Sequence, residues 1–224
     1  MKIKVASVDS LIIYFGDKID KDIAKKVKNA YLCIKKLNLD GIIEIVPSYT
    51  SILITYDIFT YDYETIKIKL EELINLDETQ EDNSKLITID VYYGTEVGLD
   101  LQSMSEKTGL SIEQIIKIHS EKTYDVYAIG FLPGFGYLAS VDDRIALPRL
   151  STPRKSIPKG SVAIANTQTA VYPQASPGGW NIVGRTAFDF FDKNLETLSP
   201  ISVGDRVKFN PISKEQFLKQ GGVL

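Results

Sequence analysis

The chain carries a single histidine, His119, and a single cysteine, Cys33, far apart in sequence. A chemistry that needs an imidazole therefore falls to His119, and no zinc site of several Cys and His ligands can assemble within the chain, so no metal site is expected. His119 stands at the C-terminal end of a predicted helix, where the helix dipole favours the imidazolium and raises its pKa. It then suits the role of general acid or anion anchor, and His119→Ala is expected to abolish activity while sparing the fold. The alternative is a histidine that only caps its helix. In Ser176-Pro177-Gly178-Gly179-Trp180 the only tryptophan follows a sharply turned backbone. Adjacent glycine N–H groups can form an anion-binding nest, with the Ser176 hydroxyl beside it. Arg185 follows, and Gln168 and Tyr172 precede it in a run facing the same end. Together they read as a pocket for a small polar or anionic molecule, the alternative being a hairpin with a packed tryptophan. All five arginines, Arg144, Arg149, Arg154, Arg185 and Arg206, lie in the second half of a chain that otherwise uses lysine heavily. Their planar fork grips carboxylate or phosphate with two hydrogen bonds, although arginine also packs on barrel surfaces.

The apolar loop GFLPGFGYL (130–138) combines aromatic rings with glycines that let backbone N–H groups approach a ligand; equally, its aromatics can plug a barrel. No G-x-x-x-x-G-K-[S/T] loop is present, and Gly130, Gly134 and Gly136 have the wrong spacing for a dinucleotide fingerprint.

These residues need positioning elements. Residues 11–15 form an apolar, β-branched run that predicts a buried strand. Asp20 predicts a capped helix whose apolar face is Ile23, Val27, Ala30, Ile34 and Leu37, ended by Gly41. Two strands follow at 42–46 and 51–56. Asp62 caps a second helix with Ile66, Leu70, Leu73 and Ile74 on one face, and residues 85–93 alternate as a strand. The order β-α-β-β-α-β predicts a ferredoxin-like α/β sandwich over residues 1–85. Two short helices follow, at 100–108 and 111–120, the second opened by a Ser111/Gln114 capping box. Short strand runs at 162–165, 180–183, 187–191 and 206–209, dense in proline and glycine, then predict a small β-barrel. The expected class is α+β, with residues 86–224 forming the barrel domain that carries the pocket.

The whole composition narrows the function. The 224 residues, 44% hydrophobic, suffice for one large or two modest domains. A net charge of −3 argues against nucleic acid or anionic lipid as partner. Residues 1–85 carry the excess of acid, and residues 86–224 are balanced. No apolar run reaches the length of a membrane span, the start MKIKVASVDS lacks a signal-peptide core, and one cysteine fits a reducing cytoplasm, the expected location.

The segments GFLPGFGYL (130–138), PRLSTPRKSIPKGSVAIA (148–165), QTAVYPQASPGGW (168–180) and IVGRTAFDFFD (182–192), with YGTEVGLDL (93–101), resemble the PxpB/KipI family. That family comprises the B-type subunit of bacterial ATP-dependent 5-oxoprolinase, the kinase inhibitor KipI, and allophanate hydrolase subunit 1-type carboxyltransferase domains. The resemblance implies a small α/β domain followed by a cyclophilin-like barrel. It implies a subunit that works with a C-type barrel subunit and an A-type LamB/YcsF subunit to convert 5-oxoproline, ATP and water to L-glutamate, ATP being bound with the partner subunits. The alternatives it implies are a KipI-like inhibitor, whose partner is a histidine kinase, and a carboxyltransferase half-site of an allophanate or urea pathway. The residues matching the family's histidine and pocket are His119, Tyr137, Arg154, Gln168, Tyr172, Ser176, Gly178, Gly179, Trp180 and Arg185. On this resemblance His119, Arg154 and Arg185 are the expected catalytic residues and the remainder bind substrate. Arg154 or Arg185 is expected to hold an anionic group, and the 176–179 turn an oxyanion or phosphate. Where the family has paired glycines, this chain has Gly94-Thr95 and Asn166-Thr167.

Overall fold

The computed structural model describes residues 1–76, 84–195 and 198–224, and divides into two units, Met1–Asn83 and Ser84–Leu224. In the first unit the order is β1 (Lys2–Ser7), β2 (Ser10–Tyr14), α1 (Lys21–Leu37), β3 (Ile42–Pro47), β4 (Ser51–Tyr56) and α2 (Tyr63–Leu76). The sheet order is β1-β2-β4-β3, every pair antiparallel. Asp20 caps α1 by accepting from the backbone N–H groups of Asp22 and Ile23, and Asp62 accepts from that of Thr65 at the start of α2. Helix α1 stops at Leu37 because Asn38 turns left-handed, three residues before the expected Gly41. Leu11, Ile13, Ile52 and Ile54 of the sheet pack against Val27 and Ile34 of α1 and Ile66 and Leu70 of α2.

This order departs from the expected β-α-β-β-α-β. An unforeseen edge strand, β1, pairs with β2 through a tight turn, with Ser7 opposite Ser10. The strand expected at 85–93 leaves the unit altogether. A hairpin between neighbouring segments closes a very short loop at little entropic cost, so β1 takes the edge beside β2.

The second unit runs β5 (Leu86–Val91), α3 (Leu101–Thr108), α4 (Ile112–Glu121), β6 (Thr123–Ile129), β7 (Gly136–Ala139), β8 (Arg154–Ile157), β9 (Ser161–Ala165), β10 (Gln168–Val171), β11 (Ser176–Gly178), β12 (Asn181–Arg185), β13 (Arg206–Pro211) and α5 (Lys214–Lys219). Seven strands form one sheet in the order β12-β9-β10-β7-β6-β13-β5, with β5 parallel to β13. A bridge between Tyr92 and Arg185 brings the chain leaving β5 against the end of β12, so the sheet is barrel-like and nearly closed. Strands β8 and β11 form a separate two-stranded ribbon. The strand expected at 187–191 is absent; after Arg185 the chain runs on as loop. The capping box at Ser111 is present in full. No described helix is long and apolar enough to cross a membrane.

Side-chain alternation gives this sheet two faces. One carries Ile89, Val91, Tyr124, Val126, Leu138, Val162, Ile164, Val171, Val183, Val207 and Phe209, packed with Leu101, Met104 and Ile115 of α3 and α4 as the main core. The opposite face of β9, β10 and β12 carries Ala163, Ala165, Ala170 and Ile182, packed with Ile157, Phe135, Tyr172 and Trp180.

Candidate functional site

The expected site residues divide between these two faces. Tyr137, Tyr172 and Trp180 gather on the second, around Phe135. Phe135 meets Tyr137, Tyr172 and Trp180 with ring centroids 4.9, 5.3 and 5.7 Å apart, all edge-on. Gln168, next to the inward Thr169 on β10, shares this face by alternation. Phe131 extends the cluster, with its ring 5.4 Å from Phe135 and its backbone at a left-handed φ of 71°. Burial pushes the Tyr172 phenol up to about 12, against the Trp180 backbone N–H that points at its oxygen. Burial likewise raises Tyr137, opposed by the charge of Arg149. Both phenols are therefore protonated donors near neutral pH.

Ser176, Gly178 and Gly179 border this face, though not as the expected nest. Ser176–Gly178 is strand β11, with Gly178 opposite Arg154 on β8. Neither glycine takes the left-handed φ that an anion nest alternates with right-handed residues. The Ser176 hydroxyl turns to the Pro177 carbonyl, 3.3 Å away. Gly178 is required for closeness: a Cβ there would lie 2.4 Å from the Tyr172 hydroxyl. The Gly179 carbonyl accepts from the N–H of Leu150.

His119 lies on the other side of the sheet and is fully buried in the main core. Its Nδ1 is 2.8 Å from the Tyr93 hydroxyl and its Nε2 2.9 Å from Thr169 Oγ1, and the ring stacks on Phe209 at 4.7 Å. Thr169 spends its one hydroxyl proton on the Ala163 carbonyl. It must then accept from Nε2–H, which leaves Nδ1 to accept from Tyr93. Desolvation pushes the His119 pKa down to about 3, the reverse of the rise expected from the helix dipole. The end-of-helix charge acts over one turn of exposed surface, whereas loss of water penalises the charged ring wherever it is buried. An imidazolium acid or anchor at this position is corrected to a neutral core histidine.

The two arginines expected to hold an anion are also engaged. Arg154 forks onto Asp100, at 2.7 and 2.9 Å, and Asp100 also accepts from the Ile182 N–H at 2.7 Å. This pair sits beside Gly178 and Ile182, so Arg154 borders the aromatic face as a positioned cation with a carboxylate partner. Arg185 is 7% exposed at the far end of β12; it donates to the Val223 carbonyl at 2.9 Å, and its Nε has no partner among the described residues. Burial lowers its pKa below the usual arginine value.

Sequence reasoning left Arg149 among the undifferentiated arginines. Its guanidinium lies over the Trp180 ring, 5.6 Å from the centroid, and the side chain is exposed. Its place in PRLSTPR, within one of the segments that carry the family resemblance, was the available signal. At the turn between β9 and β10, Asn166 takes a left-handed φ of 51°. Asparagine is among the residues that tolerate this conformation, so the turn forms without the family's glycine.

A family model described as "Carboxyltransferase domain, subdomain C and D" matches residues 1–201. The chain is 37% identical to the B-type subunit of 5-oxoprolinase from Bacillus subtilis (strain 168) over 219 residues, covering 93% of this chain and 91% of that one. It is 38% identical to the protein of the same name from Haemophilus influenzae over 168 residues, 75% and 78% of the two chains. Among solved structures it is similar to TTHA0988, with a TM-score of 0.82 and 31% identity across 91% of this chain; it spans 40% of that longer chain.

Proposed function

The chain belongs to the PxpB family of carboxyltransferase C/D-type domains, and from that premise we propose that it is a non-autonomous subunit of a 5-oxoprolinase. Its reaction is the ATP-dependent opening of the cyclic amide 5-oxoproline to L-glutamate. The observation that carries this reading is the nearly end-to-end likeness to the B-type subunit of a 5-oxoprolinase.

The geometry suits a share of that work. 5-Oxoproline is a flat lactam with one carboxylate. Tyr137, half-buried at the edge of the aromatic cluster, offers a ring and a protonated phenol against which the lactam can lie, while Tyr172 and Trp180 are buried behind it and hold it in place. The groups that make and break bonds belong to the partners in this reading. His119 has both nitrogens engaged in the core, and Arg154 is bound to Asp100. The partners are a C-type barrel subunit and an A-type LamB/YcsF subunit, with ATP bound in the assembly. The place of the match as 40% of the longer TTHA0988 chain is consistent with a unit that operates joined to others.

The test is reconstitution. The chain is purified alone and co-purified with the A-type and C-type subunits encoded in the same genome, and glutamate formation from 5-oxoproline is followed with and without ATP. Glutamate is expected only from the full assembly with ATP. An assembled three-subunit complex that forms none would overturn the reading.

A further inference from the structure

A cavity of about 300 Å³ opens beside the aromatic face, framed by Lys107 at the end of α3 and by the loop 147–152. Its polar lining is Lys107, Arg149, Ser151 and Thr152, over an apolar floor that includes Leu147 and Pro148. No carboxylate lines it. Among the described residues neither Lys107 nor Arg149 makes an ion pair, so two exposed cations without a carboxylate partner and two hydroxyl-bearing residues line one small space.

Exposed cations alone are ordinary solvated surface. This loop is different because its backbone is tied down on both sides of Arg149, at Leu147, Pro148 and Leu150. The Asn166 N–H donates to the Leu147 carbonyl at 2.7 Å, Asn181 Nδ2 to the Pro148 carbonyl at 2.9 Å, and the Leu150 N–H to the Gly179 carbonyl at 2.7 Å. Arg149 is thus carried on an anchored backbone and its guanidinium is parked over Trp180. That arrangement reduces the ordering cost a flexible arginine meets on binding.

We propose that this cavity is a binding site for a small oxyanion, gripped by the Arg149 fork and the Lys107 ammonium with the Ser151 and Thr152 hydroxyls as further donors. Its size suits a single carboxylate or phosphoryl group rather than a polymer. Resting on the reading of the chain as a 5-oxoprolinase subunit, the anion is either the carboxylate of 5-oxoproline or a phosphoryl group of ATP. Both share the chemistry that Arg and Lys recognise. In the carboxylate case Arg149 joins the cavity to the aromatic face, so the lactam ring lies toward Trp180.

Trp180, the only tryptophan of the chain, reports on this site, since an anion paired with the Arg149 guanidinium that lies over the indole changes the charge above the ring and so its fluorescence. The full chain is titrated separately with 5-oxoproline, inorganic phosphate, ATP, and 2-pyrrolidinone, which is the lactam without its carboxylate. A saturable change with 5-oxoproline and none with 2-pyrrolidinone is expected, weakened about tenfold or more by Arg149→Gln and by Lys107→Gln. Arg149→Lys keeps the charge, loses the fork and falls between, and circular dichroism verifies that each variant is folded. The same dependence with phosphate or ATP alone assigns the site to the phosphoryl group. Absence of a saturable change with every anion, or a change indifferent to both glutamine variants, overturns the proposal. Because binding is read on the chain by itself, an inactive three-subunit assembly would refute the enzyme reading while leaving this result standing.

Discussion

His119 has a hydrogen bond at each ring nitrogen and is fully buried, and its titration follows from that. With its folded pKa near 3, below the ordinary 6.5, the unfolded chain binds the extra proton first. The His119 contribution to stability is therefore complete above pH 6.5 and is lost as pH falls from there toward 3, at roughly 1.4 kcal/mol per pH unit. The expected outcome is that the imidazole signals of this single histidine stay at neutral-ring NMR shifts from pH 8 to pH 5. Titration near 6.5 in the folded protein would refute the buried pairing. His119→Ala leaves a cavity and strips a partner from Tyr93 and Thr169, so it should lower unfolding free energy by about 3–5 kcal/mol, measured by urea denaturation. That is the opposite of a variant that spares the fold. Loss of activity in His119→Ala is then explained by instability unless the two are measured together.

Gly178, the last residue of strand β11, and Gly179 just beyond it illustrate how adjacent glycines acquire different duties at one strand end. At Gly178 an added Cβ meets the Tyr172 hydroxyl at 2.4 Å and Ile157 Cδ1 at 2.7 Å, both in the packed aromatic cluster; at Gly179 the nearest atom is 3.5 Å away. Gly178→Ala is expected to cost about 1–3 kcal/mol and to disturb the Trp180 emission. Gly179→Ala should shift the thermal midpoint little. Equal effects would mean that the ribbon does not lie against Tyr172 as described. Helix starts show the same contrast between near and far. Asp20 and Ser111 cap their helices, as a reading of neighbouring residues foretells. Asp100, also preceding a helix, makes no side-chain cap bond and instead turns to Arg154 and Ile182.

Across the second unit, Asp100 connects segments distant in sequence: the start of α3, the ribbon strand β8 and the sheet strand β12. Its carboxylate is nearly buried and Arg154 is mostly so. Removing one partner leaves the other charge without compensation, so Asp100→Ala should destabilise the fold by about 3 kcal/mol. Asp100→Asn should recover only part of this, since the amide cannot match the guanidinium fork. Chemical denaturation of both variants checks the order. An Asp100→Ala protein as stable as the parent would show that the pair does not hold the ribbon to the sheet. The strand at Leu86–Val91 is likewise a matter of the whole molecule. Its alternating pattern was readable, yet its partner is β13, more than a hundred residues later.

Periodicity, caps and turn residues act within a few positions, so both helices of the first unit, the pair α3 and α4, and strands β5, β9, β12 and β13 of the second unit were legible in the residues alone, whereas strands β6, β7, β8, β10 and β11 were not. So were the aromatic members of the site, because a tryptophan behind two glycines and a GFLPGFGYL loop are local signals. Tertiary structure decided everything that depends on which face a strand presents and on which distant segment it meets. It sent His119 into the core and Tyr137, Tyr172 and Trp180 to the opposite face. It bound Arg154 to Asp100 across 54 residues and set Arg149 over the Trp180 ring. It also gave the edge of the first sheet to β1 instead of the strand at Leu86–Val91. A charge or a ring nitrogen takes its chemical state from burial and partners, and those exist only once remote parts of the chain have closed on one another.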